Sequence, residues 1–432
     1  MIITIKNAKD YVGKQATVQG WMYNKRGSGK IFFLQLRDGT GFMQGVVTLD
    51  SAGEAGMKLA DELTMESSVK VTGEITQHPK KDDVFEMQVS QIEILQKCEE
   101  DYPISKKEHG PEFLLDNRHL WLRSSSQWAI QRVRNTVINA TYEYFADNDF
   151  IKIDSPILTP NACEGTTELF EINYFDEGSA FLSQSGQLYI EAAIMSHGRV
   201  FDFGPVFRAE KSKTRRHLTE FWMMDAEMAF VEHEGNLDIQ EGLVKNIVKR
   251  VLEKNKKELD ILERDVEPLK VVLEKPFLRK THAQVIAELK EMGSDIGEKD
   301  DLGADDETRL TQKYDQPIFV EKYPAEVKAF YMKRDSENPN VALCADLLAP
   351  EGYGEVIGGS QREEDYDVLM QRIKEHDLDP KVFDWYLDLR KYGSVPHSGF
   401  GYGLERIVGW MCGIHHIRET IPFPRMISRL TP

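Results

Sequence analysis

The segment that most restricts the fold of this chain is Gly399-Phe400-Gly401-Tyr402-Gly403, where three glycines alternate with aromatic residues just ahead of Leu404-Glu405-Arg406-Ile407-Val408-Gly409-Trp410. Alternation with period two marks a strand, and successive side chains of a strand point to opposite faces. This strand therefore carries two rings on one face and nothing on the other. A bare face suits close approach by a flat ligand or a neighbouring backbone. Arg406 falls at the start of the following helix, where its guanidinium can reach a terminal phosphate or lie over a purine. Close packing of strand on helix would account for the glycines but leaves that arginine without a task.

Two further segments carry charge where an apolar pattern predicts burial. Phe207-Arg208-Ala209-Glu210 runs into Lys211, Lys213, Arg215, Arg216 and His217, followed by Glu220-Phe221-Trp222. The pattern is two strands around a loop with five cations and a histidine in ten residues. A solvated loop would explain the cations alone. Arg208 and Glu210, read as lying two apart in the apolar strand, share a face on which an unpaired charge is costly. An arginine fork suits a phosphate, and the carboxylate beside it can accept from an amino group such as that of adenine. In Cys344-Ala345-Asp346-Leu347-Leu348 and Gly354-Glu355-Val356-Ile357-Gly358-Gly359, two carboxylates sit in strand-like apolar settings and call for a cation. Mg2+ fits oxygen ligands beside phosphate-binding arginines. An ion pair of Glu355 with Arg362 is the plainer alternative.

The 432-residue length suggests two or three folding units. Residues 1–98 read as a five-stranded OB-type β-barrel: strands Ala16–Tyr23, Ile31–Arg37, Met43–Thr48, Ser68–Ile75 and Glu86–Ile94, with a helix over Ala52–Thr64 after the third. Residues 99–119, with Pro103, Gly110 and Pro111, read as a hinge. Residues 120–432 read as an α+β domain on a mostly antiparallel sheet flanked by helices, with a charge-rich surface insertion at about 236–315. No G-x-G-x-x-G or G-x-x-x-x-G-K-[ST] loop is present. Cysteines 98, 163, 344 and 412 are too widely spaced for a zinc or disulfide framework, and no apolar run is long enough to span a membrane. The expected address is the cytoplasm.

The net charge of −18 argues against general affinity for polyanions. Its distribution changes that inference. The first hundred residues hold 12 Lys and Arg against 14 Asp and Glu, and the remainder 42 against 58. Cations gather locally at Lys25–Arg37 and Arg208–Arg216, where a few phosphate contacts can be made.

Taken in order, the segments around Arg208, Glu355 and Arg406 resemble the signature motifs of class II aminoacyl-tRNA synthetases, and with the N-terminal barrel they resemble the aspartate/asparagine/lysine subgroup. Ile151–Pro160, with Pro156, resembles the motif that forms the homodimer interface in that family. The resemblance spans essentially the whole chain. It implies Arg208 on the α-phosphate of ATP and Arg406 on the γ-phosphate and over adenine, as the catalytic pair. It further implies Glu210 on the adenine amino group, Phe221 stacked on the ring, Arg216 and His217 on the pyrophosphate side, and Asp346 and Glu355 on Mg2+. Asp346 lies nine residues before Glu355, two more than in aspartate enzymes, and Glu351 is an open alternative.

Ser183-Gln184-Ser185-Gly186-Gln187-Leu188-Tyr189-Ile190-Glu191 resembles the amino-acid-binding strand of the subgroup. Aspartate enzymes have Lys after Gln-Leu-Tyr. Ile190 and Glu191 here suit a neutral carboxamide whose NH2 donates to Glu191. Glu164 and Gln187 are expected on the substrate amino group, and Arg362 on the side-chain oxygen. Thr214-Arg215-Arg216-His217-Leu218 and Phe221-Trp222-Met223 resemble the asparagine branch, bacterial type. In the barrel, Phe33 and Gln44 match the subgroup's anticodon pair, one stacking a base and the other reading its edge. The resemblance thus implies ATP-dependent activation of L-asparagine and its transfer to tRNA(Asn), by a homodimer with no membrane association. An aspartate enzyme, an aspartate-amidating paralogue and an inactive RNA-binding relative remain open; the full set of Arg208, Glu210, Glu355 and Arg406 speaks against the last.

Overall fold

A computed structural model describes residues 1–98, 101–105, 107–160, 168–212 and 214–432. The chain divides into two compact units, Met1–Pro111 and Glu112–Pro432.

In the first unit the strands are β1 (Ile2–Ile3), β2 (Gln15–Ser28), β3 (Ile31–Arg37), β4 (Phe42–Thr48), β5 (Ser68–Gln77) and β6 (Phe85–Gln96). Their order is β1-β2-β3-β4-β6-β5, and β2 also pairs with β5, which closes a five-stranded barrel and leaves only short edges. The expected strands are present, and β2 runs on to Ser28 past a register shift between Met22 and Asn24. The helix Leu49–Glu62 follows β4, its N-terminus closed by a reciprocal Thr48/Ser51 capping box. Inward residues such as Val18, Leu34, Leu36, Val71 and Met87 form the barrel core.

The second unit is built on an eight-stranded sheet. Its strands are β7 (Ile151–Lys152), β11 (Arg199–Phe207), β12 (Glu220–Ala229), β13 (Leu278–Thr281), β14 (Ile318–Glu321), β15 (Cys344–Ala349), β16 (Gly354–Gln361) and β17 (His397–Gly403). A small separate sheet holds β8 (Leu158–Thr159), β9 (Glu171–Asn173) and β10 (Ser179–Leu182). The large sheet has the order β13-β14-β15-β16-β17-β12-β11-β7, antiparallel from β14 to β11 and parallel only at its two ends. The α+β reading with a mostly antiparallel sheet therefore holds. Pro156 separates β7 from β8, so the segment makes two short strands in different sheets.

One face of the sheet is apolar and the other polar. Met224, Ala226 and Met228 of β12, Phe400 and Tyr402 of β17 and Ile357 of β16 join the main core with residues from the helices Ser125–Asp147, His233–Lys254 and Leu404–Cys412. Asp225, Glu227 and the glycines of β17 alternate with them and face the other side.

Two expected boundaries need correction. The stretch 236–315 is not a surface insertion: Leu237, Leu243, Val244, Ile247 and Val248 of the helix His233–Lys254 lie in the main core, and β13 extends the large sheet. Its high charge reflects an amphipathic helix with one wet face. The hinge also ends before 119. Pro111–Asp116 and Arg118–Trp121 are helical, and Arg118 is fully buried. Its guanidinium donates to the carbonyls of Pro422 and Ile421, both at 2.8 Å, and of Glu419 at 3.2 Å, and lies over the Trp121 ring.

Arg118 thus anchors the C-terminal segment near the polar face. Arg118→Ala leaves those buried carbonyls without donors, and the urea unfolding transition of the second unit is expected to lose roughly 2–4 kcal/mol. A change below about 0.5 kcal/mol would mean the segment is held by other contacts.

Candidate active site

The loop between β11 and β12 and the start of the helix Leu404–Cys412 face each other across a cavity of about 590 Å³. Arg208, Glu210, Arg216, His217, Phe221, Glu355 and Arg406 all line it. Seven residues expected at ATP, scattered over two hundred positions, are thereby brought together. Arg208 and Glu210 are not inside a strand as expected. β11 ends at Phe207, and the two lie in the first residues of the loop, where the Arg208 N–H still pairs with the Thr219 carbonyl. This carries both groups beyond the packed sheet into the cavity.

The glycines of β17 have three different neighbours. A Cβ at Gly399 would stand 2.0 Å from Glu227 Oε1, and one at Gly401 2.5 Å from Asp225 Oδ1. The bare face at these positions is filled by carboxylates of the paired strand β12. At Gly403 a Cβ would meet only ordinary contacts, 3.8 Å from the Phe221 ring and 4.0 Å from Arg406 Cγ. Gly403, Phe221 and Arg406 all line the cavity.

Arg406 donates to Glu355 Oε2 at 2.8 Å and to the Glu355 carbonyl at 3.1 Å. Burial would raise the Glu355 pKa, but Arg406 outweighs it and holds the carboxyl below its ordinary range. Glu355, on β16, and Asp346, on β15, both approach Gly358. A Cβ on Gly358 would lie 3.3 Å from Glu355 Oε1 and 3.5 Å from Asp346 Oδ1. The other Asp346 oxygen accepts from Lys328 Nζ at 3.0 Å. Burial pushes Asp346 up to about 6 despite that lysine. Two oxygens therefore border a space kept open by a glycine, a donor set suited to a hard divalent cation. Glu351 is not part of this arrangement, because both its oxygens are held by the Arg264 fork at 2.7 and 2.6 Å. The alternative ion pair of Glu355 with Arg362 is not formed: Arg362 pairs with Glu227, and Arg406 with Glu355. His217 accepts from or donates to Ser212 and Thr214, and burial, reinforced by Arg406, lowers its pKa.

Next to Gly399 and Gly401 lies a second, fully buried group of charges. Arg362 forks onto Glu227 and also donates to Ser360 Oγ at 2.7 Å. Burial raises Glu227 to about 7 even with Arg362 beside it. Asp225 accepts from the Gly186 N–H at 2.9 Å and Ser185 Oγ at 3.0 Å. Gln187–His197 is a helix, not the expected strand, beginning at a Gly186 that packs against Asp202 and Ser155. On it Gln187 donates to Glu191 Oε1 at 3.1 Å, while Glu191 Oε2 takes hydrogen bonds from Tyr386 at 2.7 Å, Arg390 at 2.9 Å and His397 at 3.1 Å. Although burial opposes it, Arg390 and its neighbours hold Glu191 well below the usual carboxylate range. A carboxylate already shared among four donors orients its neighbours; it is not open to a substrate amide as expected. Glu164 lies outside the described residues.

Sequence reasoning missed Asp225, Glu227, Lys328 and Glu307. The first two did carry a signal: carboxylates two apart in Met223-Met224-Asp225-Ala226-Glu227-Met228, the same anomaly that singled out Arg208 and Glu210. Glu307 sits in an acidic helical run with none.

In the first unit, Phe33 of β3 is half-buried beneath the Arg26 guanidinium, 5.1 Å from the ring centre, while Phe32 points into the core. Gln44 Oε1 accepts from Arg26 at 3.1 Å, and its Nε2 donates to Glu86 at 3.2 Å. Phe33 and Gln44 thus share one barrel face with a cation between them.

A closed OB barrel, an antiparallel sheet and a cavity ringed by arginines and carboxylates define a nucleic-acid-linked nucleotide enzyme. A family model described as tRNA synthetases class II (D, K and N) matches residues 110–427, and one described as an OB-fold nucleic acid binding domain matches residues 16–95. The chain belongs to the class II tRNA synthetases and, within them, with the asparaginyl-tRNA synthetases. It is 44% identical to the Pyrococcus horikoshii asparaginyl-tRNA synthetase complexed with asparaginyl-adenylate, with 100% of this chain and 99% of that one covered and a TM-score of 0.94. The Entamoeba histolytica asparaginyl-tRNA synthetase is 32% identical over 100% and 99% of the two chains, with a TM-score of 0.91. The aspartyl enzyme of the same organism is 29% identical, over 100% and 93%, with a TM-score of 0.84.

The raised Asp225 pKa has a consequence for stability. Burial holds it at about 6 against an ordinary 3.8, so the folded state binds more protons between these values and stability falls as pH rises through that window. Asp225→Asn removes this component. Urea midpoints measured from about pH 4 to 6.5 are expected to vary less in the variant, by up to roughly 3 kcal/mol in stability. Parallel pH dependences would exclude Asp225 as the source.

Proposed function

We propose that the protein activates L-asparagine with ATP to asparaginyl-adenylate and transfers asparagine to the 3′ end of tRNA(Asn). The observation that carries this reading is the gathering of Arg208, Glu210, Arg216, His217, Phe221, Glu355 and Arg406 around one cavity. Adenine stacks on the Phe221 ring with Arg406 over its other face, and its amino group donates to Glu210. Arg208 meets the α-phosphate; Arg216 and His217 meet the pyrophosphate side, and Arg406 the γ-phosphate. Asp346 and Glu355 would hold Mg2+, which when bound supplies positive charge against the phosphates.

The asparagine side chain reaches the buried pair beside Gly399. Arg362 donates to its oxygen, and Glu227 accepts from its NH2 while repelling the carboxylate of aspartate. Gln187, oriented by Glu191, serves the substrate amino group together with Glu164. The asparagine carboxylate then attacks the α-phosphorus in line and pyrophosphate leaves. The terminal ribose hydroxyl of tRNA attacks the carbonyl of the mixed anhydride and AMP leaves. No side chain acts as nucleophile; positioning and charge neutralisation supply the rate. Phe33 stacks an anticodon base and Gln44 reads its edge. Exposed Ile151, Ile157 and Leu158 support a homodimer through 151–160. Among the described residues no helix is long and apolar enough to cross a membrane, in keeping with work in the cytoplasm.

Charging assays with ATP, tRNA and labelled amino acid test the central reading: asparagine is charged in preference to aspartate, and the reverse order refutes it. Glu227→Gln should weaken discrimination against aspartate at least about tenfold with little change in the KM for ATP. Gly358→Ala should place a methyl group among the metal-facing oxygens and raise the Mg2+ concentration needed for pyrophosphate exchange by roughly tenfold or more, with Mg2+ binding followed directly by calorimetry. An unchanged Mg2+ requirement would remove Asp346 and Glu355 from the metal site.

A further inference from the structure

The helix Ala304–Lys313, within the stretch expected to be a surface insertion, contacts the cavity-lining Arg216 near its N-terminus. Glu307 Oε2 accepts from Arg216 Nη1 at 2.7 Å and from the backbone N–H of Glu355 at 2.9 Å. The next residue, Thr308, accepts from Arg216 Nη2 at 2.7 Å and is itself fixed by donating to the Ala304 carbonyl at 2.7 Å. The Gly352 carbonyl takes another Arg216 Nη2 hydrogen at 2.8 Å. Three of the five guanidinium hydrogens are committed to one side, and Arg216 still lines the cavity. Its Nε–H and one Nη1–H remain for a ligand.

The same carboxylate therefore fixes two ATP-side elements at once: the guanidinium of Arg216, and the start of β16, whose Glu355 is tied to Arg406. The backbone is shaped around this contact. Gly354 has φ of +72°, and a Cβ there would lie 2.2 Å from Glu307 Oε2 and 2.4 Å from Arg216 Nη1. Arg216 and Glu307 are both largely buried, with side chains 9% and 13% exposed. A buried arginine without this partner would lose both its compensation and its direction.

We propose that Glu307 is a positioning residue for the ATP-binding step, holding Arg216 and the Glu355 strand in the arrangement that receives the outer phosphates. It touches neither substrate. Its effect travels through the rotamer of Arg216 and the register of β16, so loss of Glu307 disorders phosphate contacts and spares the asparagine side of the site. The inference rests on the reading of Arg216 as a pyrophosphate-side contact.

Steady-state pyrophosphate exchange with the full-length protein separates the two. Glu307→Ala is expected to raise the KM for ATP at least about tenfold while the KM for asparagine stays within about twofold. Glu307→Gln, whose amide oxygen can accept both N–H groups, should restore most of the affinity. Arg216→Ala should raise the KM for ATP at least as much, and the double variant no further than Arg216→Ala alone. If Arg216→Ala raises it but Glu307→Ala does not, the inference fails and the reading of Arg216 stands; if Arg216→Ala leaves it unchanged, that reading fails. Equal rises in both KM values would make Glu307 a general structural residue and overturn the proposal. Should Glu307→Ala not fold, Thr308→Val removes an acceptor from the same clamp and is expected to raise the KM for ATP and not that for asparagine; an unchanged KM for ATP in Thr308→Val overturns the proposal as well.

Discussion

The polar face of the large sheet and the helices beside it carry a layer of buried and partly buried carboxylates, and the site depends on the cations that compensate them. Glu227 is matched by Arg362, Glu191 by Arg390, Asp346 by Lys328, Glu355 by Arg406 and Glu307 by Arg216. An uncompensated charge at such depth costs several kcal/mol, and even a compensated pair repays its desolvation only with good geometry and further hydrogen bonds. Arg362, Arg390 and Arg216 each have such additional partners. The arrangement is more costly than an apolar layer would be. The proposed reaction gives it a use, since in that reading the same fixed charges meet a triphosphate and a zwitterionic amino acid.

Such a layer is chemically useful because it does not have to reorganise. A phosphoryl centre attacked by a carboxylate needs positive charge already aimed at the phosphates, in a setting where water screens little. Arg406 is held by both the side chain and the backbone of Glu355, and Arg216 by three acceptors. The pairs also keep the two halves of the site distinct. Arg406 and Arg216 line the cavity, whereas Arg362, Glu227 and the Glu191 network lie along β17 toward its N-terminal end.

The glycines of β17 make this layer possible. Antiparallel neighbours bring side chains of β12 directly over β17, and Asp225 and Glu227 fit only because positions 401 and 399 have no Cβ. Two residues further on, a Cβ at Gly403 would meet only ordinary contacts, and this end of the strand lines the cavity. One repeated sequence feature thus has two structural uses, decided by what β12 presents at each register position: carboxylates at 225 and 227, and Met223 opposite Gly403, where the strand meets the cavity.

The sequence alone determined the barrel and the mostly antiparallel sheet, which follow from local periodicity and turn chemistry, and it marked Arg208, Glu210, Glu355 and Arg406, which line the cavity, as charges beside apolar runs. It also fixed Phe33 and Gln44 on one barrel face through strand alternation. Only the tertiary structure decided which charges pair. Arg406 and not Arg362 lies on Glu355, Arg264 occupies Glu351, and Glu191 sits on a helix within a network drawn from residues about two hundred positions away. Glu307 was invisible for the same reason: nothing within its acidic helix separates it from its solvated neighbours. A partner choice made across the fold leaves no trace in local composition, because it depends on which strands and helices are brought side by side.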